Sequence, residues 1–163
     1  MTFQKAMDGY LGPAVFLLIA FLLRATATPA LSIDGVTPDL VLVVVVMAAL
    51  RQGAWRGALY GLVGGLLEDI ATGRMIGMHG LGLMLGGAAA GLLRRRLYPD
   101  PWFVPMLGVL IAVVVQEIVV FTTFAFVHFS VQDFPLLAVI EYIYTVPFAY
   151  IIRPVFHRPE APS

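Results

Sequence analysis

The run from Gly53 to Gly77 reads GAWRGALYGLVGGLLEDIATGRMIG, placing glycine at 53, 57, 61, 65, 73 and 77 and aspartate at 69. All seven positions are four apart. Residues four apart lie on nearly one side of an α-helix, so Gly57, Gly61 and Gly65 strip the side chains from one stripe. A second helix can then approach backbone to backbone. Gly73 and Gly77 continue the period and are read with the same packing stripe. The next apolar run repeats the device with Gly82, Gly86 and Ala90, and beside them Gly87 and Gly91. Small-residue stripes of this kind hold helices together where lipid is the solvent, because hydrocarbon leaves no hydrophobic force to bring two apolar helices together.

The composition around this run points the same way. Of the 163 residues, 60% are apolar and 12% charged, against about 45–50% and 25% in an ordinary soluble domain. A chain of this length supplies about six to seven spans of roughly 20 residues with short connections, which leaves no room for a separate soluble domain. Six apolar segments are visible, over 11–31, 38–50, 57–71, 76–93, 104–129 and 134–152. Residues 1–156 are therefore read as a single six-helix membrane domain, and the Pro-containing tail 157–163 as a disordered cytoplasmic extension. The first apolar run is long and lacks a small-x-small cleavage site, so it is read as an uncleaved first helix.

Segments two and three fall short of the roughly 18 residues of a secure span, and charge placement decides their reading. With a cytoplasmic amino terminus and six crossings, Lys5, Arg51, Arg56, Arg94, Arg95, Arg96, Arg153 and Arg158 fall inside, and only Arg74 falls outside. That is the bias of the positive-inside rule. Omitting one segment would move the triple arginine or the carboxyl-terminal arginines outward. Six transmembrane helices with both ends cytoplasmic is the consistent topology, with Arg94, Arg95 and Arg96 as its strongest determinant. Trp55 and Trp102 fit an interfacial aromatic belt. Thr37, Pro38 and Asp39 form a helix start, with a capping hydroxyl before a first-turn proline and an acid.

Ionisable residues inside spans are costly and mark candidate functional positions. Asp69 continues the glycine stripe and is expected to face protein, whereas Glu68 points about 100° away and is expected to reach water near the outer interface. Arg24, Asp69 and Glu141 fall in the outer half of the bilayer and Glu117 near its midplane, so the four are expected to share one polar pocket. Arg24 is the lone intramembrane cation and is expected to bridge to Asp69, Glu117 or Glu141. A structural ion pair and a ligand or proton site would use the same residues.

Catalysis finds no support. There is no cysteine, hence no thiol nucleophile, disulfide framework or thiolate metal site. His79, His128 and His157 lack a second ligand at helical metal spacing and are read as interfacial or tail residues. No serine nucleophile motif, zinc-protease motif or phosphate loop occurs. The zero net charge offers nothing to nucleic acid. Neither a cofactor nor a metal is expected.

The stretch from Gly61 to Gly73, followed by Ile76 and Gly77, resembles the signature of the bacterial rod shape-determining protein MreD. The Pro38-Asp39-Leu40 opening of the second helix resembles that family as well. The resemblance implies a multi-pass scaffold subunit of the cell-elongation machinery in the inner membrane, working with MreC and with MreB, RodA and its transpeptidase in lateral peptidoglycan synthesis. It implies no catalytic residues. It also implies a six-helix fold similar to the substrate-binding subunits of energy-coupling-factor transporters, which leaves a vitamin-like small-molecule binding subunit of a transporter as the alternative.

Overall fold

The computed structural model of the chain describes residues 3–31, 38–73, 76–93, 103–127, 139, 142–143 and 145–152. They form helices α1 (Phe3–Leu31), α2 (Leu40–Gln52), α3 (Ala54–Thr72), α4 (Met78–Leu93) and α5 (Phe103–Val127), followed by a helical stretch, α6, over 145–152. No strand occurs among the described residues, in keeping with the expected all-α class. The triple arginine at 94–96, Arg74, Trp102, His128, Glu141 and the tail 157–163 lie outside the described residues.

The first three helices differ at their ends from the expected segments. α1 starts at Phe3, eight residues before its apolar run. α2 starts at Leu40 because Asp39 is its N-cap, its side chain accepting from the Leu42 amide. Arg51 and Gln52, expected in a loop, complete α2, so Gly53 alone joins α2 to α3. Gly53 has φ 99°, a conformation open to glycine at little steric cost.

α2 is the centre of the bundle. Every residue from Leu40 to Ala49 is buried, and α1, α3, α4 and α5 all pack against it. A helix apolar on every side is stable only when enclosed. Its run Val43-Val44-Val45-Val46 is β-branched and a modest helix former by itself, so its helicity depends on that enclosure. The thirteen residues of α2 span only about 20 Å at 1.5 Å per residue.

The glycine stripe sets the closest approach. A Cβ on Gly61 would overlap the Leu83 carbonyl and the Met84 nitrogen. One on Gly65 would overlap His79 O and the Gly80 backbone, and Gly57 and Gly87 face each other in the same way. On another side of α4, a Cβ on Gly82 would stand 3.1 Å from Gln116 Cγ of α5, and one on Gly86 would stand 3.0 Å from the Ala112 carbonyl oxygen. Gly73 and Gly77 are different. A Cβ on either would meet nothing within 4 Å, and their φ values are 63° and 100°. They are turn residues, selected by a left-handed backbone between α3 and α4 rather than by packing, which corrects their reading as part of the stripe.

Polarity is distributed inside out. Exposed positions include Leu11, Val15, Leu18 and Leu22 on α1, Leu59 and Val63 on α3, Leu81 and Leu85 on α4, Leu110 and Val114 on α5 and Ile151 on α6. Asp39, Glu68, Asp69, Gln116 and Thr145 are buried. Phe103–Thr123 is long and apolar enough to cross a membrane, and Leu11–Thr26, Leu40–Gln52 and Met78–Leu93 are shorter apolar helices.

Gly61→Ala is expected to destabilise the bundle by about 2 kcal/mol or more, because the new methyl meets backbone rather than a side chain that can move aside. Gly12→Ala, where a Cβ meets nothing within 4 Å, is expected to be neutral or slightly stabilising. Thermal denaturation of the two variants in detergent checks the contrast.

Candidate functional site

The head of α2 creates an electrostatic problem that α1 answers, with α3 and α6 joined to the same point. Asp39 caps α2 through a 2.8 Å hydrogen bond from the Leu42 amide to its Oδ1. Because α2 has no polar face, its cap is enclosed with it, and Asp39 is 0% exposed. A carboxylate in such a place is costly unless a cation meets it. Arg24 of α1 supplies one, with Nη1 2.7 Å from Asp39 Oδ1. The same nitrogen stands 2.8 Å from Glu68 Oε1 near the end of α3. α6 joins through Thr145, whose Oγ1 accepts the Asp39 backbone N–H at 3.2 Å. The Arg24 side chain keeps 25% exposure, so the cluster touches the outside through its guanidinium arm. Asp39 Oδ2 is buried with no hydrogen-bond partner.

A second buried carboxylate organises the α3–α4 turn. Asp69 Oδ2 accepts from the amides of Gly77 at 2.7 Å and Gly80 at 3.2 Å. Its Oδ1 accepts from the His79 amide at 3.2 Å and lies 3.0 Å from His79 Nδ1. Asp69 is 0% exposed, yet it satisfies amide donors at the start of α4 that have no partner within their own helix. With a carboxylate as acceptor, the ring proton belongs on Nδ1.

The single pocket expected of Arg24, Asp69, Glu117 and Glu141 is thus divided. Arg24 meets Asp39 and Glu68, while Asp69 is turned to His79 and the turn amides. Glu117 is half-buried on α5 and joins neither cluster, and Glu141 is outside the described residues. The rotation of α3 explains the change. With Gly57, Gly61 and Gly65 against α4, Asp69 on the same stripe must face α4, and Glu68, about 100° further round, faces α1. Glu68 is accordingly buried rather than turned to water. Asp39, expected to follow a capping hydroxyl, is itself the cap. His79, expected to be an unremarked interfacial residue, is the partner of Asp69. Thr145 closes the α2 head. One sequence signal could have found the cluster: an acid that caps a wholly apolar helix is buried with it, and Arg24 is the one basic residue inside the expected spans.

A family model described as rod shape-determining protein MreD matches residues 7–158, a range that contains every residue of both clusters. The chain belongs to the MreD family. No curated protein and no solved structure matches it, so the expected likeness to energy-coupling-factor substrate-binding subunits gains nothing from that comparison. MreD proteins are membrane-associated components of the rod shape-determining system, and the family is one of shape determination rather than of a known enzyme activity.

Replacing Arg24 with Met strands the Asp39 and Glu68 carboxylates and is expected to cost about 3–5 kcal/mol. Adding Asp39→Asn and Glu68→Gln to that variant is expected to restore most of the loss, since the uncompensated charges are then gone. Thermal unfolding of single and triple variants reads both effects.

Proposed function

We propose that this MreD-family chain is a multi-pass scaffold of the inner-membrane rod complex, crossing the bilayer six times with both ends in the cytoplasm. It holds the membrane helix of MreC on an outward apolar face, and so helps organise MreB, RodA and its transpeptidase for lateral peptidoglycan synthesis. The observation that carries this reading is the inside-out polarity: apolar residues cover the outward faces of α1, α3, α4 and α5, while the carboxylates Asp39, Glu68 and Asp69 are enclosed. A water-soluble monomer does not sustain apolar surface of that extent, whereas hydrocarbon favours it.

The cluster geometry supports alternating crossings. Arg24 in the later part of α1, Asp39 at the start of α2 and Glu68 late in α3 are in contact, as three successive antiparallel spans require. α1 continues seven residues past Arg24 and α3 four past Glu68, so the head of α2 is recessed beneath their ends. A span shorter than the roughly 30 Å of hydrocarbon is admissible there because protein, not lipid, surrounds it. Arg51 and Arg56 lie at the opposite end, where the positive-inside rule puts the cytoplasm.

The pairing also favours a structural role over a transporter subunit that binds a vitamin-like molecule. Arg24 engages both carboxylates, and with the Thr145 contact this ties together the depths of α1, α2, α3 and α6. A rigid bundle with an apolar exterior suits a subunit that positions other membrane proteins.

The chain has no cysteine, so single cysteines report topology directly. Ile76→Cys in the α3–α4 turn and Trp55→Cys beside Gly53 both replace strongly exposed residues. A membrane-impermeant maleimide is expected to label the first in intact spheroplasts and the second only after permeabilisation. The reverse pattern, or equal labelling of both, would refute the six-crossing arrangement.

A further inference from the structure

We infer that α5 carries a docking seam for a membrane-spanning helix of another protein that presents a hydrogen-bond donor at the depth of Glu117. The inference rests on the membrane-scaffold reading and assigns it a surface and a chemistry. Phe103, Leu110, Val114 and Phe121 are exposed, and with Glu117 they recur at intervals of seven, four, three and four. That is the spacing of a helix seam that accepts one partner helix. The residues that pack α5 onto the bundle, among them Val109, Ala112, Val113 and Gln116, occupy a different face.

Glu117 distinguishes this seam from an ordinary lipid-facing surface. It lies near the middle of α5, half-buried at the edge of the seam. Its neighbours one turn away, Val113, Val114, Val120 and Phe121, offer no side-chain donor. The Thr122 and Thr123 hydroxyls nearby donate to the carbonyls of Ile118 and Val119. Gln116 turns to α4, where its Cγ and Cα adjoin Gly82. Acyl chains provide no donor, and an ionisable group at this depth is expensive without one. A donor on a second helix meets that need, and the apolar seam on either side supplies its packing.

The test uses the full-length protein in vesicles of phosphatidylethanolamine and phosphatidylglycerol, with two labelled probe peptides, a polyleucine membrane helix and the same helix with one central asparagine. Energy transfer is expected to show the asparagine peptide binding about three- to tenfold more tightly. Glu117→Leu is expected to abolish the preference, and Glu117→Gln to retain part of it. Val114→Trp on the seam is expected to weaken both peptides, whereas Leu22→Trp on α1 is expected to change neither. Equal binding of the two peptides, or a preference that survives Glu117→Leu, overturns the inference. So does self-association of the labelled protein that depends on Glu117, because the occupant would then be a second copy. If cysteine labelling upholds the six crossings while the preference is absent, the docking inference fails and the scaffold reading stands. If the labelling fails as well, both fall together.

Discussion

One guanidinium holds the head of the central helix in place. Arg24 Nη1 touches carboxylates from α2 and α3 at 2.7 and 2.8 Å, and the amide of the same Asp39 reaches α6. Without that cation the acidic cap would stand uncompensated, because a buried helix start needs a cap and a buried acidic cap needs a countercharge. Enclosure of α2 is in turn what lets an all-apolar, valine-rich segment stand as a helix at all. Cap, countercharge and central helix therefore form one constraint rather than three.

The glycine stripe supplies the complementary constraint. Backbone contact between α3 and α4 at Gly57, Gly61 and Gly65 fixes the rotation of α3, and that rotation distributes the two adjacent acids. Asp69 goes to the α4 turn and Glu68 to Arg24. A methyl group at Gly61 would thus disturb more than local packing, since any rotation that relieves it moves both carboxylates from their donors. Packing and electrostatics are coupled through a single helix angle.

Much of this was legible in the sequence. The four-residue period marked close-packing faces on α3 and on α4, and composition with charge placement marked the helical class. The polar pairing was less legible for a physical reason. Periodicity tells which residues share a face of one helix, but not which neighbour that face meets, so Arg24 could be assigned an acid without its identity being fixed. Glu68 was misassigned because depth was judged from its place in α3 rather than from the rotation that the glycines impose. Gly73 and Gly77 fell on the packing period while answering to backbone conformation, since glycine serves close approach and positive φ alike and spacing does not separate the two. His79 carried no signal until the α3–α4 turn folded it back onto Asp69.

The account is most directly tested by measuring nitrogen–carbon dipolar couplings between arginine side-chain nitrogens and aspartate and glutamate carboxyl carbons in the protein reconstituted in lipid, by solid-state NMR. Contact-range couplings from one arginine to both an aspartate and a glutamate, lost together in Arg24→Met, are the predicted result. Couplings absent, or unchanged by that substitution, would contradict the claim that Arg24 joins α1, α2 and α3.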